Sequence, residues 1–153
     1  MNLFGLMEVS GSALKAERIR AEVVAANMAN AETTRTADGT PYKRQHVVFA
    51  SAAPAQPTFA GQLLSQAQPQ QQIADVEVGG VDISAVVADS GPALRRYDPG
   101  HPDADKDGYV SYPDINPLTE MVDLMGATRA YGLNSSAVQA TKGMINASLD
   151  ILK

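Results

Sequence analysis

A seven-residue apolar repeat runs through both ends of the chain and limits what it can fold into. Such a repeat keeps one stripe of side chains on a single face of an α-helix, which is the pattern of a coiled-coil seam. The chain has 153 residues, so little protein remains between its ends to cover two stripes. We therefore expect the two ends to pack against each other and against further copies of the chain. The predicted subunit-interface residues are Met7, Leu14, Ala21 and Met28 near the N-terminus and Leu124, Tyr131, Val138, Ile145 and Leu152 near the C-terminus.

The N-terminal repeat lies in a segment that is rich in alanine and free of proline, and this segment predicts a helix from Leu3 to Asn30. Ser10, Gly11 and Ser12 have weaker helix propensity than the rest. The first third of this helix is therefore expected to fray unless another part of the protein packs on it.

The C-terminal repeat lies in a second helix, whose beginning is marked by three residues. Asn116 is suited to cap the helix, Pro117 fits its first turn, and Glu120 favours the positive end of the helix dipole. We expect this helix to run for about 35 residues, which is roughly three times the usual length.

The middle of the chain has the composition of a small β-rich domain. Runs of β-branched and aromatic residues, separated by glycine, proline and aspartate, predict short strands. The stretch from about 50 to 74 is dominated by alanine, proline and glutamine and predicts a mobile loop. The predicted fold is α+β, with an N-terminal helical segment at 1–34, a central domain at 35–115 and a C-terminal helical segment at 116–153. The predicted strands are Tyr42–Phe49, Val76–Val87 with a bend at Gly79-Gly80, Leu94–Tyr97 and Tyr109–Tyr112.

Charge and composition exclude several classes of function. The net charge is −5 and the basic residues are scattered, which argues against nucleic acid as a partner. Cysteine is absent, which excludes disulfides and thiolate chemistry. Met1 to Glu8 contain no basic region, and the apolar run Leu3 to Met7 is too short for a signal peptide or a membrane span. We therefore expect no membrane insertion and no cleaved signal.

A catalytic site is not expected. His46 and His101 are the only histidines of the chain, and neither has a carboxylate or nucleophile at catalytic spacing in the sequence. The sequence also contains no Gly-x-Ser-x-Gly and no glycine-rich phosphate loop. The sequence predicts neither an enzyme nor a cofactor.

An aspartate-rich loop from Asp103 to Asp114 leaves a calcium-dependent binding module open as an alternative. It places carboxylates at positions 1, 3, 5 and 12 and glycine at position 6, as calcium loops do. Against this, aspartate at position 12 reaches less far than glutamate, Pro113 precedes it, and no helix can enter across 98–102. The competing interpretation is a polar turn whose aspartates bind their own backbone.

Three segments resemble the flagellar basal-body rod family. Residues 25–33 resemble the family's N-terminal Asn-Leu-Ala-Asn-Ala signature, with Met28 in the place of leucine. Tyr97 to Asp105, followed by Gly108-Tyr109-Val110, resembles a loop of one branch of the family. Glu120 to Met125, with Arg129-Ala130-Tyr131 and Asn134, resembles the family's C-terminal helix motif.

The resemblance implies a structural subunit of the proximal part of the flagellar rod. Rod proteins join their terminal helices into an inner coiled-coil tube that transmits torque, and they carry β-rich domains outside it. They are exported unfolded by the flagellar type III apparatus, without a cleaved signal, and assemble in the periplasm. The implied partners are copies of the same chain, other rod proteins and the export apparatus. The family brings no catalytic residues, and its aspartate loop is expected to shape the entry to the C-terminal helix or to contact a neighbouring subunit. A coiled-coil adaptor outside the flagellum is the third, weaker interpretation.

Overall fold

The computed structural model describes residues 3–52 and 79–151, and these residues form two long helices and two small β-ribbons. The predicted α+β fold with long terminal helices and a small β-rich centre is confirmed. Along the chain the elements are α1 (Leu3–Ala29), β1 (Gln45–Ser51), β2 (Val81–Ala88), β3 (Leu94–Tyr97), β4 (Tyr109–Tyr112) and α2 (Pro117–Ile151).

The two helices pack against each other in antiparallel directions. Near the end of α1, Asn27 contacts Glu120 at the start of α2. Leu14, earlier in α1, lines the same depression as Tyr131, which lies about three turns further along α2. The predicted start of α2 is confirmed, because the Asn116 carboxamide oxygen accepts a hydrogen bond from the Leu118 N–H at 3.0 Å. Neither helix of the described part of the chain is long and apolar enough to cross a membrane.

The first ribbon is formed by β1 and β2, which pair antiparallel and lie along α1. The Ser12 hydroxyl accepts a hydrogen bond from the Val81 N–H at 3.0 Å and donates one to the Val9 carbonyl at 2.7 Å. Gly80 sits so close to Ser12 that a Cβ atom there would overlap the hydroxyl. The serine-rich third of α1 is thus helical and is held by the ribbon.

The second ribbon is the hairpin of β3 and β4, and both strands have the predicted bounds. Gly108 has a φ of 79° in the connecting loop, a conformation that favours glycine. Val110 of β4 is fully buried, and Ile115 before α2 is nearly so.

The bounds of β1 and β2 differ from the prediction. β1 begins at Gln45, three residues later than predicted, because the Tyr42 N–H donates to the Thr33 carbonyl at 3.1 Å instead of pairing with β2. β2 begins at Val81, immediately after Gly79-Gly80. The predicted start of this strand at Val76, most of the predicted loop at 50–74, and Leu152 lie outside the described residues.

Candidate functional site

A buried polar junction ties the end of α1 to the start of α2 and to β1. Asn27 and Glu120 are 1% and 0% exposed, although both are polar. The Asn27 carboxamide accepts a hydrogen bond from the Gln45 N–H at 2.9 Å and donates one to the Gln45 carbonyl at 2.9 Å. It also donates to the Glu120 carboxylate at 3.1 Å. One amide side chain therefore pairs with β1 as a neighbouring strand would and binds α2 at the same time.

Arginines balance the carboxylates at this junction. Arg44 donates from Nε to Glu120 Oε1 at 2.5 Å, and its Nη2 lies 3.5 Å from Asp123 Oδ2. Arg20 of α1 lies 3.6 Å from the same Asp123 carboxylate. Since the negative charge of Glu120 is fully buried, the guanidinium of Arg44 and the amide of Asn27 are what make its burial tolerable.

Tyr42 closes the junction from the side of the loop that precedes β1. Its hydroxyl donates to the Asn27 carboxamide oxygen at 3.2 Å. Burial raises the pKa of the Tyr42 hydroxyl, and the charge of Glu120 raises it further. Both effects favour the neutral hydroxyl, which is the form that donates this hydrogen bond.

The sequence marks both junction residues without predicting that they meet. Asn27 belongs to the N-terminal signature, and Glu120 is a charge near the positive end of the helix dipole. The missed signal is the seven-residue spacing of Glu120, Ala127, Asn134 and Thr141, which forms the side of α2 most closely packed on α1. These residues are small or polar, so an apolar pattern does not reveal them.

The predicted interface residues lie beside this most buried row and are only partly covered. On α1 they are half-buried, while the fully buried positions are Ser10, Ala16, Val24 and Asn27. Among the predicted α2 residues that the structure describes, Tyr131 is the most exposed, at 44%. The half-buried predicted residues are Met7, Leu14, Ala21, Met28, Leu124, Val138 and Ile145.

The side of α2 that faces away from α1 is exposed and largely apolar. Its residues recur at helical spacing of three or four, so they share one face. In the second half of the helix the same face carries small residues, and Gly132 and Gly143 have open space where a Cβ would stand. We call the part of this face in the first half of α2 the α2 ridge. It consists of Leu118 (73% exposed), Val122 (68%), Met125 (72%), Arg129 and Leu133 (67%).

The aspartate loop between β3 and β4 uses its carboxylates on the protein itself. Asp105 Oδ1 accepts hydrogen bonds from the N–H groups of Asp107 and Tyr109, both at 2.9 Å, and its other oxygen pairs with Arg95. The bond from Tyr109 is the main reason that the pKa of the Asp105 carboxyl lies below its usual range, and Asp107 and Arg95 lower it further. This is the arrangement of the polar turn.

The neighbouring carboxylate of Asp103 fastens this loop to the segment that follows α1. It accepts a hydrogen bond from the Thr34 hydroxyl at 2.8 Å and lies 3.6 Å from the Arg35 guanidinium. Within the described residues, no three acidic, histidine or cysteine side chains converge in a way that could hold a metal ion. The calcium-binding alternative thus finds no support in the arrangement of the loop.

Known protein families match the regions of both helices, and known relatives align with nearly the whole chain. Residues 7–35 match the family model "Flagella basal body rod protein", and residues 106–151 match "Flagellar basal body rod FlgEFG protein C-terminal". The chain is 39% identical to the flagellar basal-body rod protein FlgC of Bacillus subtilis, with 100% of both chains covered. It is 37% identical to FlgC of Borreliella burgdorferi, covering 100% of the chain and 99% of the relative, and 34% identical to FlgC of Salmonella typhimurium, covering 99% and 98%. Asn27 lies in the first matched region and Glu120 in the second.

Proposed function

Because the chain belongs to the FlgC family of flagellar basal-body rod proteins, we propose that its terminal helices carry the contacts that join it to neighbouring rod subunits. The chain is a structural subunit of the bacterial flagellar basal-body rod, as the resemblance predicted. In this role the junction of Asn27 and Glu120 sets the register of the two helices, so that each subunit presents the same surface to its neighbours.

The observation that carries the proposal is the amount of apolar helix surface that a single chain leaves exposed. The α2 ridge contains four large apolar side chains, each at least 67% exposed. The first turn of α1 adds a second exposed surface, the α1 patch, which consists of Leu3, Phe4 and Leu6 and in which Phe4 is 70% exposed. Contiguous exposed apolar surface on a folded chain marks a protein–protein contact.

The half-buried seam residues fit the same role. Leu124, Val138 and Ile145 share a face with Ala127 and Thr141, which are buried against α1. The part of each seam side chain that the helix partner does not cover remains for a neighbouring subunit. We extend this to Leu152, although it lies outside the described residues.

The proposed partners and export route follow from membership of the rod protein family. The partners are further copies of this chain and other rod proteins, and the coiled helices transmit torque along the rod. Export in an unfolded form through the flagellar type III apparatus is compatible with the small apolar core of the described residues, whose buried members are Val24, Val110, Pro113, Ile115 and two alanines. A chain with a core of this size has a small free energy of unfolding. The role is structural, and we assign no enzymatic activity to the chain.

The test replaces the native copy in a motile strain with a tagged chain and recovers basal bodies. Wild-type chain should co-purify with them and support swimming. Phe4→Asp should lower recovery at least tenfold, since a charge buried at a subunit contact costs several kcal/mol and about 1.4 kcal/mol corresponds to a factor of ten. Ser90→Asp, in the exposed turn between β2 and β3, is the matched control and should assemble normally. Absence of the wild-type chain from basal bodies would refute the function, and normal recovery of Phe4→Asp would refute the role of the α1 patch.

A further inference from the structure

The methionines of the chain differ widely in their exposure to solvent. Among those that the structure describes, Met125 of the α2 ridge is the most exposed, at 72%. Met121, one turn earlier in α2, is 52% exposed, and the two methionines of α1, Met7 and Met28, are half-buried. Cysteine is absent from the chain, so methionine thioethers are its only sulfur groups. A soluble oxidant that attacks sulfur therefore reaches Met125 most easily.

Hydrogen peroxide oxidises a thioether by transferring one oxygen atom to it. A lone pair of the methionine Sδ attacks one peroxide oxygen, and an S–O bond forms as the O–O bond breaks. The second oxygen leaves as hydroxide and takes up the proton of the transferred oxygen to become water. The sulfur loses two electrons, the peroxide gains them, and the product is methionine sulfoxide.

Oxidation of Met125 would change the α2 ridge near its middle. Leu118 and Val122 precede Met125 on this face, and Leu133 follows it. The thioether is apolar, whereas the sulfoxide oxygen is a polar acceptor that is costly to remove from water without a hydrogen-bond partner. A sulfoxide at this position therefore opposes the covering of the ridge by another protein.

Arg129 is placed to hold the oxidised side chain on the surface of α2. It lies four residues after Met125, so the two side chains are neighbours on the helix. The Arg129 guanidinium makes no ion pair or hydrogen bond with another side chain in the described part of the chain. A guanidinium has only donors and a thioether is a weak acceptor, so the two are poorly matched before oxidation. The sulfoxide oxygen is a better acceptor for this guanidinium.

We propose that Met125 is the oxidation site of the unassembled subunit, at which hydrogen peroxide forms a sulfoxide and thereby stops a folded chain from entering the rod. The inference rests on the proposed function, because it requires the ridge to be covered in the rod, but it does not depend on which protein covers it. Assembly protects the same residue, since peroxide cannot reach a covered thioether. The subunit is thus sensitive to oxidation between its export and its assembly.

Oxidation rates at single methionines test the site. The isolated chain is treated with hydrogen peroxide at neutral pH, and the sulfoxide at each methionine is followed by peptide mass spectrometry. Met125 should be oxidised at least threefold faster than the half-buried Met28, which is the internal control. In isolated basal bodies under the same conditions, Met125 should be oxidised at least fivefold more slowly than in the isolated chain.

Glutamine substitution tests the consequence for assembly, because glutamine is polar, uncharged and similar in length to methionine sulfoxide. Met125→Gln should leave the melting temperature of the isolated chain unchanged, since the side chain is exposed there. Its recovery in basal bodies should fall at least fivefold, because a polar group would be buried without a partner. Met144→Gln is the matched control on the same helix, outside the α2 ridge, and should be recovered as wild type is.

The outcomes separate the oxidation site from the proposed function. Equal oxidation rates of Met125 and Met28 in the isolated chain, or normal recovery of Met125→Gln beside the wild-type chain, would overturn the oxidation proposal alone. Unslowed oxidation of Met125 in basal bodies that contain the chain would overturn it as well and would show that the ridge is open in the rod. Absence of even the wild-type chain from basal bodies would overturn both proposals.

Hydrogen exchange of the isolated chain tests the part played by Arg129. Oxidation should speed the exchange of the amides of residues 122–129 about twofold more in Arg129→Ala than in wild type, because only the wild-type chain can pair the sulfoxide with a guanidinium. An equal effect of oxidation in the two chains would remove Arg129 from the proposal.

Discussion

At the scale of single residues, the junction shows one side chain making the hydrogen bonds that the backbone of a neighbouring strand would make. The Asn27 carboxamide has a donor and an acceptor in nearly the geometry of a peptide group, and it bonds both the N–H and the carbonyl of Gln45. Leucine or alanine at this position would leave both Gln45 groups without these partners. A buried polar residue is therefore required here, although apolar residues are the usual choice for a buried helix face.

The charge of Glu120 is the most sensitive point of this junction. We expect Glu120→Ala to lower the free energy of unfolding by about 2–4 kcal/mol, because Asn27 and Arg44 both lose a buried partner. The lower end applies if Arg44 turns outward, since its side chain is already 25% exposed. Urea unfolding of the isolated chain, followed by circular dichroism, measures the change.

Asp123→Ala is the matched control for Glu120→Ala. Asp123 pairs with the same Arg44, but its side chain is 37% exposed, so its removal should cost less than about 1 kcal/mol. Equal losses in the two variants would mean that burial does not set the strength of these pairs.

At the scale of elements, the sequence predicts well those helix and strand boundaries that neighbouring residues determine. Asn116 and Pro117 fix the start of α2, and the strands β3 and β4 are bounded as predicted because glycine, proline and aspartate flank them. The fraying of α1 near Ser12 was expected only in the absence of a packing partner, and β2 supplies that partner from residues far along the chain. Tertiary contacts of this kind overrule helix propensity.

The candidate site was less predictable than the fold for a related reason. Heptad counting finds apolar residues such as Leu14 and Val138, and these do flank the helix contact. It does not find Glu120 or Thr141, because a charged or hydroxyl side chain is buried only when a specific partner is present. Thr141 donates to the Ala137 carbonyl of its own helix at 2.9 Å, and Glu120 depends on residues 76 and 93 positions away.

The contact between α1 and the first ribbon offers a test at this scale. We expect Gly80→Ala to destabilise the chain by about 1–3 kcal/mol, because the added Cβ would overlap the Ser12 hydroxyl and push the ribbon away from α1. Thermal unfolding followed by circular dichroism should show a lower midpoint. Gly91→Ala is the control, since its Cβ would meet only Asp89 at 3.5 Å or more, and a similar loss there would refute a specific clash at Gly80.

At the scale of the whole molecule, the subunit has two kinds of helix surface that serve different steps. One surface joins α1 to α2 through the junction and the buried row, and it exists before any neighbour arrives. The other consists of the α2 ridge and the α1 patch, which are exposed in the single chain and which we propose are covered on assembly. Under the proposed function, such a chain folds its helix pair first and covers its remaining apolar surface on assembly.

Two aspartate substitutions should separate these surfaces. Val138 shares the α1-facing side with Ala127 and Thr141, whereas Val122 lies on the ridge and is 68% exposed. We expect Val138→Asp to weaken the isolated chain by about 1–3 kcal/mol, because it places a charge at the contact between the helices. Val122→Asp should leave the stability of the isolated chain within about 0.5 kcal/mol of wild type.

Both variants should nevertheless fail in assembly, with little chain recovered in basal bodies and no swimming on soft agar, since each damages a surface that the rod requires. The stability of the isolated chain is what distinguishes them: Val138→Asp fails because the helix pair is loosened, and Val122→Asp fails because a folded subunit cannot dock. Normal swimming with Val138→Asp would remove that residue from the seam. Loss of stability in Val122→Asp would show that the ridge is already used within a single chain.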